Sequence, residues 1–378
     1  MNTVKILHCA DLHIGAAESS LGTLANSRRA EALITFENII SIAKGEGTKL
    51  LLIAGDLFDS NNIEDAFVSR VIECFNSIPE TEIIYAAGNH DPLTLNSPFI
   101  KFKSILPKNF HILPCFDSVV ELENLGVKVY GRSFDEVYVS GAPSFSITPD
   151  DDFINIMCIH GDFGASTDTK YNPISSSFIE SSGMDYMALG HIHKRSDIAR
   201  LGSTYFAYPG CPEGQGFDES GEKGVLLGEI GKGLADLRFI PTCKRIHATV
   251  SITLGSEENS NQVAERILSV IKEKYKDNWR DNLYKIILEG RLSENIKLST
   301  EEIASRVGVE VYFAKVKDKT EIAVDLEELS REDSLKGIFV KNMLSRLQNA
   351  SEEEKPLIKK ALDLGLKAFL SEVKYNED

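Results

Sequence analysis

Five short apolar segments of this 378-residue chain each end within two residues of a polar side chain. Each segment has the length and composition of a buried strand, and helical patterns separate the first three. This rhythm predicts parallel strands in a layered α/β fold, and the carboxyl ends of parallel strands share one edge of a sheet, where ligands bind. The segments are Val4–Ala10, Leu50–Ala54, Glu82–Ala87, Phe153–Ile159 and Asp185–Leu189.

The first two thirds of the chain are predicted to form a single α/β domain, residues 1–245. Two helices, Asn26–Lys44 and Ile63–Ile78, separate the early strands. Two later strand patterns, Gly224–Ile230 and Leu237–Pro241, are expected to complete a second sheet, so that two sheets pack as a sandwich.

Beyond residue 245 the pattern changes. Strands and helices alternate in 246–322, with a capping box at Ser299–Glu302, and the last strand is predicted at Glu310–Val316. From about residue 325 the apolar residues recur at helical spacing, and a second capping box at Ser351–Glu354 predicts a helical hairpin. We therefore predict an α+β module over 246–322 and a helical region over 323–378.

Composition narrows the class of protein. With 42% hydrophobic residues the chain can build a core, so disorder as the main state is excluded. The apolar runs are far shorter than the ~20 residues of a membrane span, and the N-terminus does not resemble a signal sequence, so we expect a cytoplasmic protein without membrane association. The six cysteines form no CxxC pair and predict free thiols. A net charge of −16 opposes unaided binding to nucleic acid.

The polar residues at the strand ends are suited to metal binding. Carboxylates, imidazoles and an amide oxygen without any cysteine favour manganese or iron, and zinc less specifically. Asp56 is placed to bridge two ions. In this interpretation one ion is bound by Asp11, His13, Asp56 and His193, and the other by Asp56, Asn89, His160 and His191.

Such a centre is suited to phosphoester hydrolysis. Two cations neutralise the phosphate oxygens, lower the pKa of water and align the water with the leaving group. The leaving oxygen still needs a proton donor. His90 follows Asn89 and precedes Asp91, whose carboxylate is expected to orient the imidazole and favour its charged form. We therefore predict that His90 and Asp91 are catalytic.

Five motifs occur in the order and spacing of the calcineurin-like metallophosphoesterase superfamily, which the chain resembles. The first two, together with the Tyr-Pro-Gly…Glu-Gly segment at 208–214, are similar to the DNA-repair exonuclease branch, which includes the SbcD nuclease subunit of bacterial SbcCD. The likeness covers residues 1–245, and beyond them only the layout matches. The motifs are Asp11-Leu12-His13, Gly55–Asp59, Gly88–Asp91, His160-Gly161 and Gly190–His193.

The resemblance implies a four-layer β-sandwich flanked by helices, followed by a capping domain and C-terminal helices that clamp a partner. It also implies the ligand set given above, two Mn²⁺ ions, and 3′-to-5′ exonuclease and single-strand endonuclease activity. The partners it implies are DNA, a second copy of the chain and an SMC-like coiled-coil ATPase.

Two other functions fit the same motifs. A phosphatase or nucleotide phosphodiesterase would use the same centre on a small substrate, because fold and metals do not fix the substrate. Ser60 after Asp59 and Asp91 after His90 favour a diesterase over a protein phosphatase. A non-catalytic scaffold would be expected to have lost ligands, and none is lost.

Several polar residues receive a more conservative interpretation. His8 is predicted to be a packed histidine, and Asp59 a carboxylate that supports the ligands. Arg28 and Arg29 are more consistent with a solvated helix surface than with phosphate contacts. Lys194 and Arg195 directly follow His193, which makes a phosphate contact more plausible there.

Overall fold

The structure is a computed structural model that describes residues 2–139, 148–164, 169–255, 259–293, 296–322 and 326–369. The chain forms two compact units, Met1–His247 and Ala248–Asp378. Residues 323–325, at the predicted boundary between the second and third domains, lie outside the described residues. The division into three domains therefore stays a prediction.

The first unit contains most of the strands. In chain order these are β1 (Thr3–Cys9), β2 (Leu50–Ala54), β3 (Glu82–Ala86), β4 (Phe110–Ile112), β5 (Ser118–Leu122), β6 (Val127–Arg132), β7 (Ile154–His160), β8 (Asp162–Phe163), β9 (Pro173–Ile174), β10 (Tyr186–Gly190), β11 (Ala199–Leu201), β12 (Thr204–Ala207), β13 (Gly224–Gly231) and β14 (Leu234–Pro241). The helices are α1 (Ala25–Gly45), α2 (Asp65–Asn76), α3 (Pro98–Lys101) and α4 (Ser176–Ser181), with 3-10 turns at Ser19–Leu24, Lys103–Ile105 and Glu123–Leu125.

Two six-stranded sheets form the body of this unit. The first has the order β14-β13-β1-β2-β3-β4, and the second has the order β11-β12-β10-β7-β6-β5. Strands β1, β2 and β3 are parallel neighbours, and so are β7 and β10. His160 lies opposite Gly190 at the carboxyl ends of β7 and β10. Each sheet therefore presents the predicted functional loops at the carboxyl ends of its parallel strands.

Three apolar clusters hold the layers together. Helices α1 and α2 pack on the first sheet through side chains that include Phe36 and Phe75. The two sheets pack on each other through residues such as Leu52 and Ile156, and the outer face of the second sheet packs on Ile179 of α4. The resulting order of helix, sheet, sheet and helix confirms the predicted four-layer α/β sandwich.

The structure also contains strands that the sequence patterns did not predict. Strands β4, β5 and β6 fall between residues 110 and 132, and β11 and β12 fall between 199 and 207. Several are short or lie at a sheet edge, and β5 alternates between exposed and more buried residues. Such strands lack the continuous apolar run by which a buried strand is recognised.

The second unit combines a small sheet with helices. Its elements are β15 (His247–Leu254), α5 (Ser260–Tyr275), β16 (Leu283–Leu292), α6 (Thr300–Gly308), β17 (Phe313–Asp318), β18 (Glu321–Ile322), α7 (Leu326–Leu329), α8 (Leu335–Asn349) and α9 (Lys355–Phe369), with a 3-10 turn at Lys276–Asn278. The sheet has the order β15-β16-β17, with β18 beside β16, and its core includes Ile267 and Ile303 of the helices α5 and α6. Helices α8 and α9 share a separate cluster that includes Val340 and Leu362. In the described part of the chain, no helix combines the length and apolarity needed to cross a bilayer.

The element boundaries in this unit agree only partly with the predictions. Ser299 Oγ accepts a hydrogen bond from the amide of Glu302 at 3.1 Å, as a capping residue should. Glu354 Oε2 accepts a hydrogen bond from the amide of Ser351 at 3.0 Å, one of the two bonds of the predicted capping box, but residues 351–354 form a turn and α9 begins at Lys355. The strand predicted at Glu310–Val316 begins only at Phe313, because the end of α6 and its turn occupy the preceding residues.

Candidate metal centre

The loops after the strands have strained backbone at four of the predicted ligands. Asp11, His13, Asp56 and His191 have φ values of 54°, 45°, 50° and 106°. Residues other than glycine adopt a positive φ at a cost of about 1–3 kcal/mol, and such residues cluster at functional sites. Asp and His tolerate it better than most residues do. Four of the six non-glycine residues with positive φ in the described part of the chain are predicted ligands, so the strain supports a functional role for these loops independently of the motifs.

Glycines beside the ligands allow the loops to approach each other closely. A Cβ on Gly55 would lie 2.2 Å from His160 Nδ1, and a Cβ on Gly88 would lie 2.1 Å from Asp56 Oδ1. A Cβ on Gly190 would lie 1.8 Å from the carbonyl oxygen of Ala54 in the other sheet. The motif glycines therefore bring the strand ends of both sheets together.

Asp56 lies at the centre of the cluster. Its Oδ1 accepts a hydrogen bond from the amide of His90 at 2.9 Å, which orients the carboxylate. Its Oδ2 lies 3.7 Å from His13 Nε2 and 3.4 Å from His160 Nε2. A single oxygen between two imidazole nitrogens is suited to bridging two metal ions.

On one side of Asp56 the structure brings Asp11, His13 and His193 together. The Nε2 atoms of His13 and His193 are 3.1 Å apart, and a donor atom from each of the three residues lies within 4.8 Å of the others. Asp11 and His13 are buried, whereas His193 is half-buried. These donors fit one divalent ion.

On the other side the structure brings Asn89, His160 and His191 together. Asn89 Oδ1 is 3.0 Å from His160 Nε2, and the rings of His160 and His191 have centroids 5.2 Å apart. The amide of His191 donates to Asp11 Oδ1 at 2.9 Å, which connects this loop to the first group. Nitrogen and oxygen donors of this kind fit a second divalent ion. All seven predicted metal ligands therefore lie in one cluster.

Three of the imidazoles, those of His13, His160 and His193, have a protein oxygen near the nitrogen that faces away from the cluster. His160 Nδ1 donates to the carbonyl of Ala54 at 2.8 Å, and His13 Nδ1 lies 3.3 Å from Asp59 Oδ1. The hydrogen bond of His160 fixes the tautomer that leaves its Nε2 free to bind a metal. The position of Asp59 agrees with its predicted supporting role.

Opposite charges compensate one another inside the cluster. Burial alone would lower the pKa of His160, but the carboxylates of Asp56 and Asp11 outweigh it and raise the pKa to about 9. Burial alone would raise the pKa of Asp56, but His160 and His13 bring it below its usual range. Burial and the neighbouring His160 lower the pKa of His191 to about 4. Because imidazole must be deprotonated to bind a metal, ion binding here should release protons.

The predicted pairing of His90 with Asp91 is wrong. Asp91 is buried and accepts hydrogen bonds from the amides of Phe58, at 3.0 Å, and Gly88, at 2.8 Å, so it connects two ligand loops. His90 instead has its Nδ1 3.1 Å from the carbonyl oxygen of Asp59 and 3.7 Å from Oδ1 of the same residue. The two side chains diverge because His90 lies at the surface of this loop, whereas Asp91 points into its interior. His90 remains 45% exposed, on the open side of the cluster.

The interpretation of Arg28 as a solvated residue is wrong. Its side chain is buried, and it forms ion pairs with Glu31 at 2.6 Å and Glu213 at 2.9 Å. Arg29 is half-buried and donates to the carbonyl of Gly15 at 2.8 Å. These contacts already use both guanidinium groups within the protein.

Lys194 and Arg195 are exposed beside the cluster. Both directly follow His193, and the guanidinium of Arg195 lies 4.1 Å from the centroid of the Phe239 ring. A phosphate contact through either residue stays a prediction.

Some contacts of the site could not be predicted from strand ends. Asn172 Nδ2 donates to the carbonyl of His160 at 2.7 Å, and Glu219 hydrogen-bonds Nδ1 of His193. Both residues lie outside the motifs, and no local pattern distinguishes them from other loop residues. The packed histidine predicted at position 8 is confirmed, because His8 is buried and its Nδ1 lies 2.9 Å from the hydroxyl of Tyr186.

The family model described as calcineurin-like phosphoesterase matches residues 4–195, and the chain belongs to this family. It is therefore a metal-dependent phosphoester hydrolase. The match covers the strands and loops that carry the seven predicted ligands.

Among individual proteins, the chain is similar to the DNA double-strand break repair protein Mre11 of Sulfurisphaera tokodaii, with 26% identity over 392 aligned positions that cover 95% of this chain and 92% of that protein. It is 27% identical to Mre11 of Sulfolobus acidocaldarius over 76% of this chain and 75% of that protein. It is also 29% identical to the uncharacterized metallophosphoesterase YhaO of Bacillus subtilis, over 63% of this chain and only 60% of YhaO. The nearer likeness to SbcD stays a prediction.

Proposed function

We propose that this protein is a DNA nuclease that hydrolyses phosphodiester bonds with two Mn²⁺ ions during DNA end processing and repair. The observation that carries the proposal is the position of Asp56 Oδ2 between the Nε2 atoms of His13 and His160. Support for DNA as the substrate comes from the named repair function of relatives that align over nearly the whole chain.

Each part of the centre has a proposed role. Two divalent ions would supply positive charge to the phosphodiester and lower the pKa of the attacking water. Asp11, His13, Asp56 and His193 would hold one ion, and Asp56, Asn89, His160 and His191 the other. His90 lies on the open side and would donate a proton to the leaving oxygen, while the Asp59 carbonyl orients its ring. Asp91 would preserve the shape of the loops.

Partners would compensate for the acidic charge of the chain. We propose that an SMC-like coiled-coil ATPase binds the C-terminal helices, where Leu335 and Leu357 are 74% and 72% exposed. Exposed apolar residues on helices are typical of docking elements. We also propose a homodimer, as the resemblance implies.

We propose a cytoplasmic location for the protein. All six cysteines are free, which agrees with this location.

A cleavage assay tests the proposed reaction. Purified protein should cut single-stranded and duplex DNA with MnCl₂ and stop when a chelator is added. The Asp56→Asn variant should lose this activity, because it removes the proposed bridging charge without changing the size of the side chain. Asp65→Asn, which changes an exposed carboxylate of α2, should cut like wild type.

The same assay distinguishes the alternative function. If the wild-type protein leaves DNA intact but hydrolyses a small phosphodiester or phosphomonoester in an Asp56-dependent manner, the substrate proposal is wrong and the metal centre stands. If Asp56→Asn keeps full activity, the proposed centre is wrong as well.

A further inference from the structure

We infer that Glu219 is a positioning residue for His193 and sets the affinity of one of the two ion sites. The inference rests on the proposed metal centre and extends it beyond the ligands. Glu219 Oε1 accepts a hydrogen bond from His193 Nδ1. Because Nδ1 is held in this way, the nitrogen that faces His13 is Nε2, at 3.1 Å. A carboxylate at this position fixes both the tautomer and the ring orientation of a histidine ligand.

Glu219 is itself held in place. Its Oε2 accepts a hydrogen bond from the amide of Gln215 at 2.7 Å, and Cys211 Sγ donates to the same oxygen at 3.5 Å. The side chain is only 14% exposed. A carboxylate with both oxygens engaged cannot turn away from His193 without losing hydrogen bonds in a partly desolvated place.

The backbone of His193 is held by the same segment of chain. The amide of Cys211 donates to the carbonyl of His193 at 3.2 Å, and Lys223 Nζ donates to that carbonyl at 3.1 Å. Main chain and side chain of His193 are therefore fixed together. This arrangement restricts the position of Nε2 more than either contact alone would.

A buried ion cluster connects the Glu219 loop to helix α1. Arg28 donates to the carbonyl of Gly214 at 2.7 Å and to Glu213 at 2.9 Å, and Glu213 also accepts from Thr35 at 2.9 Å. Charge-assisted hydrogen bonds of this kind are strong and directional. Helix α1 packs on the first sheet, whereas His193 follows β10 of the second sheet. The loop therefore fixes a ligand of one sheet relative to a helix of the other layer.

The effect should be confined to one ion. His160, on the other side of Asp56, is oriented separately by the carbonyl of Ala54. Removing the Glu219 carboxylate therefore perturbs the group of Asp11, His13 and His193. The group of Asn89, His160 and His191 keeps its own support.

Calorimetric titration of the full chain with MnCl₂, without DNA, tests the inference. Glu219→Gln should weaken one of the two binding events by about 10–100-fold, the range typical of lost supporting contacts, and leave the other unchanged. Long-range ¹H–¹⁵N spectra of the metal-free protein should show that the His193 ring loses its single tautomer. Glu219→Asp, which keeps the charge, should recover part of the affinity.

Glu222→Gln is the matched control, because it removes an exposed carboxylate three residues away. It should bind two ions as the wild-type protein does. The inference is overturned if Glu219→Gln binds both ions with wild-type affinity, or if both ions weaken equally as the thermal midpoint falls. Because no DNA is present, these outcomes are independent of whether the protein cleaves DNA.

Discussion

His90 and Asp91 are neighbours in the chain, but the structure gives them different surroundings. The His90 ring lies on the open side of the cluster, with its centroid 4.5 Å from that of the His13 ring. Asp91 is buried beneath the loops, where burial and the nearby Asp56 raise its pKa even though Tyr85 and two amides donate to it. One residue is therefore placed for chemistry and the other for structure.

Variants of this pair should separate catalysis from stability. His90→Asn should lower kcat by about 10²–10⁴-fold, the contribution typical of a general acid, with the thermal midpoint and Mn²⁺ affinity unchanged. Asp91→Asn should lower the free energy of unfolding by about 1–3 kcal/mol, because its amide group would face a backbone N–H with no acceptor. Cleavage rates, Mn²⁺ titration and chemical unfolding measure the three quantities. Loss of one bound ion in His90→Asn would identify His90 as a ligand and contradict its role as proton donor.

The close packing of the ligand loops depends on the glycines at the strand ends as well as on the ligands themselves. Gly88 does not have a positive φ, so backbone conformation does not require glycine at this position. Steric room does, because a Cβ there would lie 2.1 Å from Asp56 Oδ1 and 2.7 Å from the Asp56 amide nitrogen. The backbone atom cannot move aside as a flexible side chain could. Asp56 must shift if any side chain is added at this position.

Gly88→Ala should therefore lower kcat by about 10²-fold or more, since misplacement of a catalytic group by about 1 Å has an effect of that size. Mn²⁺ affinity should fall in the same variant. Gly45→Ala is the control. Gly45 is the last residue of helix α1, and a Cβ added there would have no atom within 4 Å. That change should leave kcat unaltered and stabilise the protein by at most about 1 kcal/mol. Equal kcat values for the two variants would show that the close approach is unimportant.

The strands that carry ligands could be predicted because local sequence determines both the apolar run and the group that follows it. The sequence pattern predicts the strand Leu50–Ala54 to the residue, and it identifies Asp56 from its place after that strand. The contact of Glu219 with His193 joins residues 26 positions apart through a loop without periodicity, so no local pattern contained it. The positive φ of Asp56 likewise arises from tertiary packing, which outweighs the intrinsic preference of the residue. Side-chain direction after a strand end, as for Asp91, also depends on packing.

At the scale of the whole molecule, the core contains a histidine whose burial opposes protonation in the folded protein. Burial lowers the pKa of His8 to about 3, whereas an exposed histidine titrates near 6.5. Below pH 6.5 the unfolded chain therefore binds a proton that the folded protein does not bind. The contribution of the neutral His8 to the free energy of unfolding is therefore complete above pH 6.5. It is lost progressively as the pH falls towards 3.

Replacement of His8 should make the protein less sensitive to acid. The free energy of unfolding of the wild-type protein should fall between pH 7 and pH 5 by about 2 kcal/mol more than that of His8→Phe. Urea unfolding of the metal-free proteins at both pH values measures the difference, and any constant effect of the substitution cancels. An identical pH dependence in His8→Phe would show that His8 takes up its proton in the folded state.

The tight approach at Gly55, Gly88 and Gly190 leaves no room for a side chain at these three positions at the base of the centre. Larger side chains are excluded there, so we expect substitutions that alter substrate choice to be tolerated at the rim, where His90 and Lys194 are exposed. The closely packed floor and the exposed rim are separate parts of the molecule. A designer who wishes to retarget this hydrolase should therefore randomise the rim and leave the floor untouched.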